Sequence, residues 1–256
     1  MKPDWPIRRD FLPANLEPEL RACNLDGCVA VQARQSLEES RWLLKLADES
    51  AVILGVVGWV DLRSPDVAKQ LAEFAAHPKF VGVRHVVQDE SDDRFMLRED
   101  FQRGIAALSD FDLTYDLLVF PKQLPAAIAL GQKFPNQAFV LDHLAKPLIK
   151  DGITSPWREQ IQELAKLPNV TCKVSGMVTE ADWQHWDAAD FKPYLDTVFE
   201  AFRPDRLMYG SDWPVCLLAG KYEEVFGLVE NYVSPLQVDD KAKFFGGNAA
   251  ACYGLV

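Results

Sequence analysis

Residues 52–87 read VILGVVGWVDLRSPDVAKQLAEFAAHPKFVGVRHVV, and this one segment carries the architecture. It opens on an apolar run of strand type, 52–62, and closes on a second, 80–87, both rich in Val and bounded by polar residues. Between them Ser64-Pro65 starts PDVAKQLAEFAAH, whose apolar residues recur at helical spacing, with proline placed where a first helical turn tolerates it. Two strands joined through a helix of this length form a parallel pair, because an antiparallel hairpin needs only a short turn.

The same alternation runs outward in both directions. Further apolar runs lie at 28–33, 114–120, 138–144, 170–176 and 207–212, so strand starts recur every 24 to 37 residues. Ser36 and Glu39 have capping-box spacing before LEESRWLLKLADE, and Ser155-Pro156 opens PWREQIQELAKL. Seven strands with a helix in each interval predict a parallel sheet wrapped by helices, either a (β/α) barrel or an open doubly wound sheet. No GxGxxG or GxxxxGK[ST] follows the first visible strand, so the nucleotide-binding reason for an open sheet is missing and the barrel is favoured. No linker or low-complexity segment divides the chain, and residues 1–256 are expected to form a single domain.

Composition narrows the partners. A formal charge of -11, with no run of Lys and Arg, argues against a nucleic-acid partner. The longest apolar run, AVILGVVGWV, has 10 residues, whereas a membrane helix needs about 20. The opening MKPDWPIRRDFLPANL has no apolar leader core. The 5 cysteines are scattered without CxxC spacing, which fits a reducing compartment. The expectation is a cytoplasmic protein that binds a small molecule, with no membrane or nucleic-acid partner and a homo-oligomer left open.

Candidate chemistry gathers near the ends of the strands, where barrel enzymes carry it. Alternation in FVGVRHVV puts Arg84 on one face with Gly82 and His85 on the other with Val81 and Val83. His143 shares a face with Phe139 and Leu141, Lys173 shares one with Ser175, and Gly210 lies beneath Asp212. Each has a plain reading as well. Asp212 can shape the turn before Pro214, His143 can be a core histidine, Arg84 can neutralise Asp89 or Glu90, and Lys173 can extend to the surface. His85 reads as a packing residue, and His77 and His185 as structural or solvated.

The segments VVGWVDL, GVRHVVQDE, YDLLVFPKQLP, LDHLAKP, CKVSGMVTEADW and LMYGSDWPVCLLAGKYEEV, in that order, closely resemble the amidohydrolase-related (amidohydrolase 2) TIM-barrel family. Within it they are most similar to the sugar-lactonase branch, of the L-fuconolactonase and L-rhamnonolactonase type. The resemblance implies a (β/α)8 hydrolase in which Asp212 is the general base toward water. It puts the family's sixth-strand histidine on His143 and its fourth-strand arginine on Arg84. Lactone opening needs a base for water and donors for the developing oxyanion. Lys173, Ser175, Gln32 and Asp116 suit the sugar hydroxyls. No GxSxG elbow supports a serine nucleophile.

One feature of the family is missing. Its members carry a His-x-His pair on the first barrel strand, whereas the 4 histidines here include no such pair. The match begins around PIRRDFLP, which implies that the first strand is missing or replaced: the start lies downstream, the chain is shortened, or the lineage has lost the strand. Unpaired strand edges and uncovered core are then expected, since residues 1–10 have 2 prolines and no strand pattern. The family's metal site combines that pair with His143 and Asp212. Two donors remain, so no tightly bound metal is expected in this form, and a divalent ion such as zinc only if the His-x-His strand is restored. Three classes stay open: a sugar-lactone hydrolase, another hydrolase or a decarboxylase on the same scaffold, and a catalytically silent barrel.

Overall fold

All seven apolar runs become strands of one parallel sheet, in the computed structural model that describes residues 5–255. They are β1 (Cys28–Val31), β2 (Ile53–Gly58), β3 (Phe80–His85), β4 (Thr114–Leu117), β5 (Phe139–Leu141), β6 (Val170–Val174) and β7 (Leu207–Tyr209), hydrogen-bonded in chain order. That order is the sequence of a TIM-type barrel and excludes the reversal of a doubly wound sheet.

The helices are α1 (Pro13–Ala22), α2 (Leu37–Glu49), α3 (Val67–Ala75), α4 (Glu99–Leu108), α5 (Leu124–Lys133), α6 (Trp157–Leu164), α7 (Ala188–Phe202), α8 (Tyr222–Val233), α9 (Val238–Ala242) and α10 (Asn248–Tyr253). No helix among the described residues is long and apolar enough to cross a membrane. Ser36 caps α2 as expected, accepting from the Glu39 amide at 3.1 Å. The Glu39 carboxylate does not complete a reciprocal box. It accepts from the Ala33 and Arg34 amides at 3.0 and 2.7 Å, tying the turn after β1 to the helix. α3 starts later than its proline signal, at Val67, because Pro65 lies in the turn that Ser64 closes on Asp66 at 3.1 Å.

The main core lies between sheet and helices and includes Phe80, Val83, Tyr115, Phe139, Leu141 and Phe101, all buried. A second cluster occupies the concave side, where Val57, Val81, Val140 and Met208 meet Tyr253, so Val81 parts from Val83 instead of sharing its face as strict alternation predicted. β1 and β7 end the sheet order, and every residue of β1 is only half-buried while all of β3 is buried. Over the apolar surface that an incomplete barrel was expected to uncover, α10 and the residues after it bring Tyr253, Cys252 and Leu255 against the concave face. A Cβ at Gly55 would lie 2.8 Å from Leu255 Cδ2, so a larger residue there would make the Leu255 side chain shift. Burial of one such aromatic side chain is worth about 1.5–3 kcal/mol. The stretch 1–10, read as unable to supply a strand, lies partly outside the described residues, and its described part contains none.

Candidate active site

On the concave face, register aligns Arg84 with Asp116, Asp116 with Val140 and Val140 with Thr171, and pairs Lys173 with Met208. Three charged side chains from β3, β4 and β6 meet there with Asp142, which follows β5 directly. Lys173 Nζ lies 2.5 Å from Asp116 Oδ2 and 2.8 Å from Asp142 Oδ1, the latter a charge contact without hydrogen-bond alignment. Arg84 Nη1 donates to Asp142 Oδ2 at 2.7 Å, and its Nη2 donates to the carbonyl of Gln32. Gln32 Nε2 returns a bond to the Arg84 carbonyl at 3.2 Å, and Tyr253 donates to Asp116 Oδ2 at 2.9 Å.

Buried ions are stable only with such partners. Burial raises Asp142, but Lys173 and Arg84 outweigh it and hold the carboxyl well below the usual carboxylate range. Burial pushes Asp116 up, against the pull of Lys173. Lys173 is lowered by burial and raised more strongly by the two carboxylates, so it stays cationic. Gln32, Asp116 and Lys173, assigned from sequence to the sugar hydroxyls, and Arg84, read as the family's fourth-strand arginine, thus lie together in a closed layer where each has a protein partner.

Toward the carboxyl ends of the strands the polar groups are held differently. His143, Leu144, Ala145 and Lys146 all have positive φ, near 50–59°, which costs L-residues roughly 1–2 kcal/mol each. Strand alternation would send His143 outward with Phe139 and Leu141. The left-handed turn instead brings its Nδ1 to 2.8 Å from Ser175 Oγ and its Nε2 to 3.7 Å from Asp212 Oδ1. Asp212 also sits at positive φ, 54°, so its strand alternation ends in the same way. Gly176 leaves room for the imidazole: a Cβ there would lie 2.7 Å from His143 Nδ1. Gly210 does the same for Ser175, whose Cβ would be 2.9 Å away. Burial pushes His143 toward the neutral form, against the opposing charge of Asp212. Beside this pair, Lys146 Nζ lies 3.5 Å from Glu180 Oε1 and 5.7 Å from the Phe120 ring centroid. Burial raises the Glu180 carboxyl.

His143, Ser175 and Asp212 are thus brought together, and the other four sequence candidates form the layer below. Sequence reading passed over Asp142, Lys146, Glu180 and Tyr253. Asp142 was within reach, since alternation from Val140 turns it inward. Tyr253 had no signal, because nothing local ties a C-terminal helix to the fourth strand. His85 occupies the opposite face of β3, stacked 5.0 Å from Phe95 and 2.7 Å from Glu90 Oε1.

His143 and Asp212 offer a metal ion two donors, and no group of three or more His, Cys, Asp or Glu suited to a metal exists among the described residues. A catalytic zinc site takes three protein ligands, so this donor set does not fit one.

Residues 1–255 match the profile of the amidohydrolase family. The chain belongs to that family. Among amidohydrolase relatives, an L-fucono-1,5-lactonase of Burkholderia multivorans is 45% identical over 260 residues, 97% of this chain and 88% of the relative. An L-fucono-1,5-lactonase of Burkholderia ambifaria is 38% identical over 98% of this chain and 90% of its own length. A crystal structure of a Burkholderia multivorans amidohydrolase with bound zinc superposes with a TM-score of 0.93 at 45% identity, covering 97% of this chain and 90% of that one.

Proposed function

We propose that residues 1–256 act as one hydrolase domain that opens a sugar-derived lactone of the L-fucono-1,5-lactone class. The observation that carries this reading is the pair of His143 Nε2 and Asp212 Oδ1, 3.7 Å apart, at the carboxyl ends of β5 and β7. That separation is too long for a hydrogen bond and leaves both groups free to engage a third. The 45% identity to a lactonase supplies the substrate class.

In this reading Asp212 takes a proton from water as the water oxygen attacks the lactone carbonyl carbon. A positioned base of this kind contributes about 10²–10⁴-fold. The mechanism uses the tautomer in which His143 Nδ1 accepts from Ser175 Oγ, 2.8 Å away, and Nε2 carries the proton that meets the carbonyl oxygen as negative charge develops. Collapse of the tetrahedral intermediate breaks the bond to the ring oxygen, and that oxygen recovers the proton from Asp212. The product is the open hydroxy acid. Lys146 and Glu180 are placed to bind ring hydroxyls, and the closed layer fixes the floor of the site.

A metal enters this scheme only if a third donor joins His143 and Asp212, as it would if an eighth strand stood between β1 and β7. Elemental analysis of the purified chain is expected to find less than one zinc per molecule.

The test is acid release from L-fucono-1,5-lactone, beside a panel of other aldonolactones and carboxylated aromatic rings. Turnover of the lactone that drops about 10²–10⁴-fold in Asp212→Asn supports the reading. An unchanged rate in that variant, or turnover of carboxylated rings alone, sinks it. A soluble, folded chain inert toward every compound supports a silent barrel instead.

A further inference from the structure

The left-handed turn 143–146 asks what keeps it from relaxing. Four successive non-glycine residues in that region persist only where their surroundings over-determine them. We propose that Asp142 and Trp157 are positioning residues that clamp this turn and so set His143 Nε2 against Asp212. The proposal rests on the reading of His143 and Asp212 as the reacting pair.

Three contacts hold the turn from outside. At its entrance Asp142, wholly buried, is gripped by Arg84 Nη1 of β3 at 2.7 Å and by Lys173 Nζ of β6 at 2.8 Å. At its middle the indole Nε1 of Trp157, the first residue of α6, donates to the Leu144 carbonyl at 2.7 Å. At its tip the imidazole sits in the space left by Gly176 and bonds Ser175. The turn adds one bond of its own, from the Lys146 amide to the His143 carbonyl at 2.7 Å. Leu144 and Ala145, fully buried, lock the segment into the core behind it.

Neither clamp is open to the site. Asp142 has no solvent exposure and Trp157 only 2%. Trp157 reaches the site through the turn. Asp142 also holds Arg84 and Lys173, so its action through the turn is recognised by its dependence on His143. A shift of about 1 Å at a reacting group costs about 10²-fold in rate.

The test is a double-mutant cycle on lactone turnover by the full chain, with L-fucono-1,5-lactone as the probe. Asp142→Asn and Trp157→Phe are made singly and in combination with His143→Asn. Each single variant is expected to lower kcat about 10- to 100-fold with KM held within about twofold. In the His143→Asn background the same changes are expected to lower kcat no further. Trp157→Phe keeps the ring and removes one hydrogen bond, so it carries the test if Asp142→Asn fails to fold. Equal losses with and without His143, or an unchanged kcat in Trp157→Phe, overturn the proposal while leaving the reacting pair intact. Wild-type turnover in His143→Asn overturns the reading of the pair itself, and the clamp with it.

Discussion

The closed layer and the mouth above it both set basic side chains beside carboxylates, and hold them in opposite ways. In the layer Lys173 stands 2.5 Å from Asp116 and 2.8 Å from Asp142, and Arg84 2.7 Å from Asp142. At the mouth His143 and Asp212 are 3.7 Å apart and Lys146 and Glu180 are 3.5 Å apart. A buried ion without a partner is costly, so the layer must be closed. A reacting group must keep a valence open for substrate and water, and it is the mouth that leaves one. The two regions therefore differ in what their substitutions should damage.

Asp212→Asn is the sharpest cut, expected to lower lactone turnover about 10²–10⁴-fold while leaving the thermal midpoint close to wild type. A large fall in the midpoint would erase the distinction. Lys173→Met should do the converse: removing one member of a buried pair costs about 3–5 kcal/mol, read as a lower urea midpoint at unchanged m-value. Wild-type stability in that variant would mean that the layer is not held by charge. Tyr253→Phe should cost about 1.5–3 kcal/mol, the range for a hydrogen bond to a charged group, and circular dichroism melts would show it. An unaffected melt would remove α10 from the account of how the concave face is filled.

Lys146→Met is expected to raise KM about tenfold, equivalent to about 1.4 kcal/mol of binding, with kcat little changed. A fall in kcat alone would move Lys146 from binding to chemistry. The smallest effect belongs to the far side of β3. Burial lowers His85 below the ordinary imidazole value. On acidification through about pH 6.5 the unfolded chain therefore binds a proton that the folded chain resists, and stability falls. His85→Asn should flatten this slope of stability between about pH 5 and 7. An identical slope in the variant would separate His85 from the titration.

Much of this was legible beforehand because it is local. Each of the seven strands appeared as an apolar run at the right place, from CVAVQA to LMYGSD, and in the inner strands burial on both faces is what leaves a run that any window can detect. The runs exceeded the strands at their carboxyl ends. DHL and GSD there are loop that carries His143 and Asp212, and their left-handed backbone has no signature in residues that are not glycine. Asp116 and Lys173 were recognised as polar groups near one end of the sheet. That each would occupy the other was invisible, since 57 residues separate them in the chain.

The amino-acid order alone determined the strand–helix alternation, its parallel sense and the opposite facing of Arg84 and His85. These follow from backbone periods of 2 and 3.6 residues, which act between neighbours. Tertiary structure alone decided that Asp142 would anchor the turn, that His143 would swing toward Asp212, and that Tyr253 would fill the concave face. Those outcomes depend on contacts between distant segments, made only once the sheet has curled and burial has obliged every ion to find a partner.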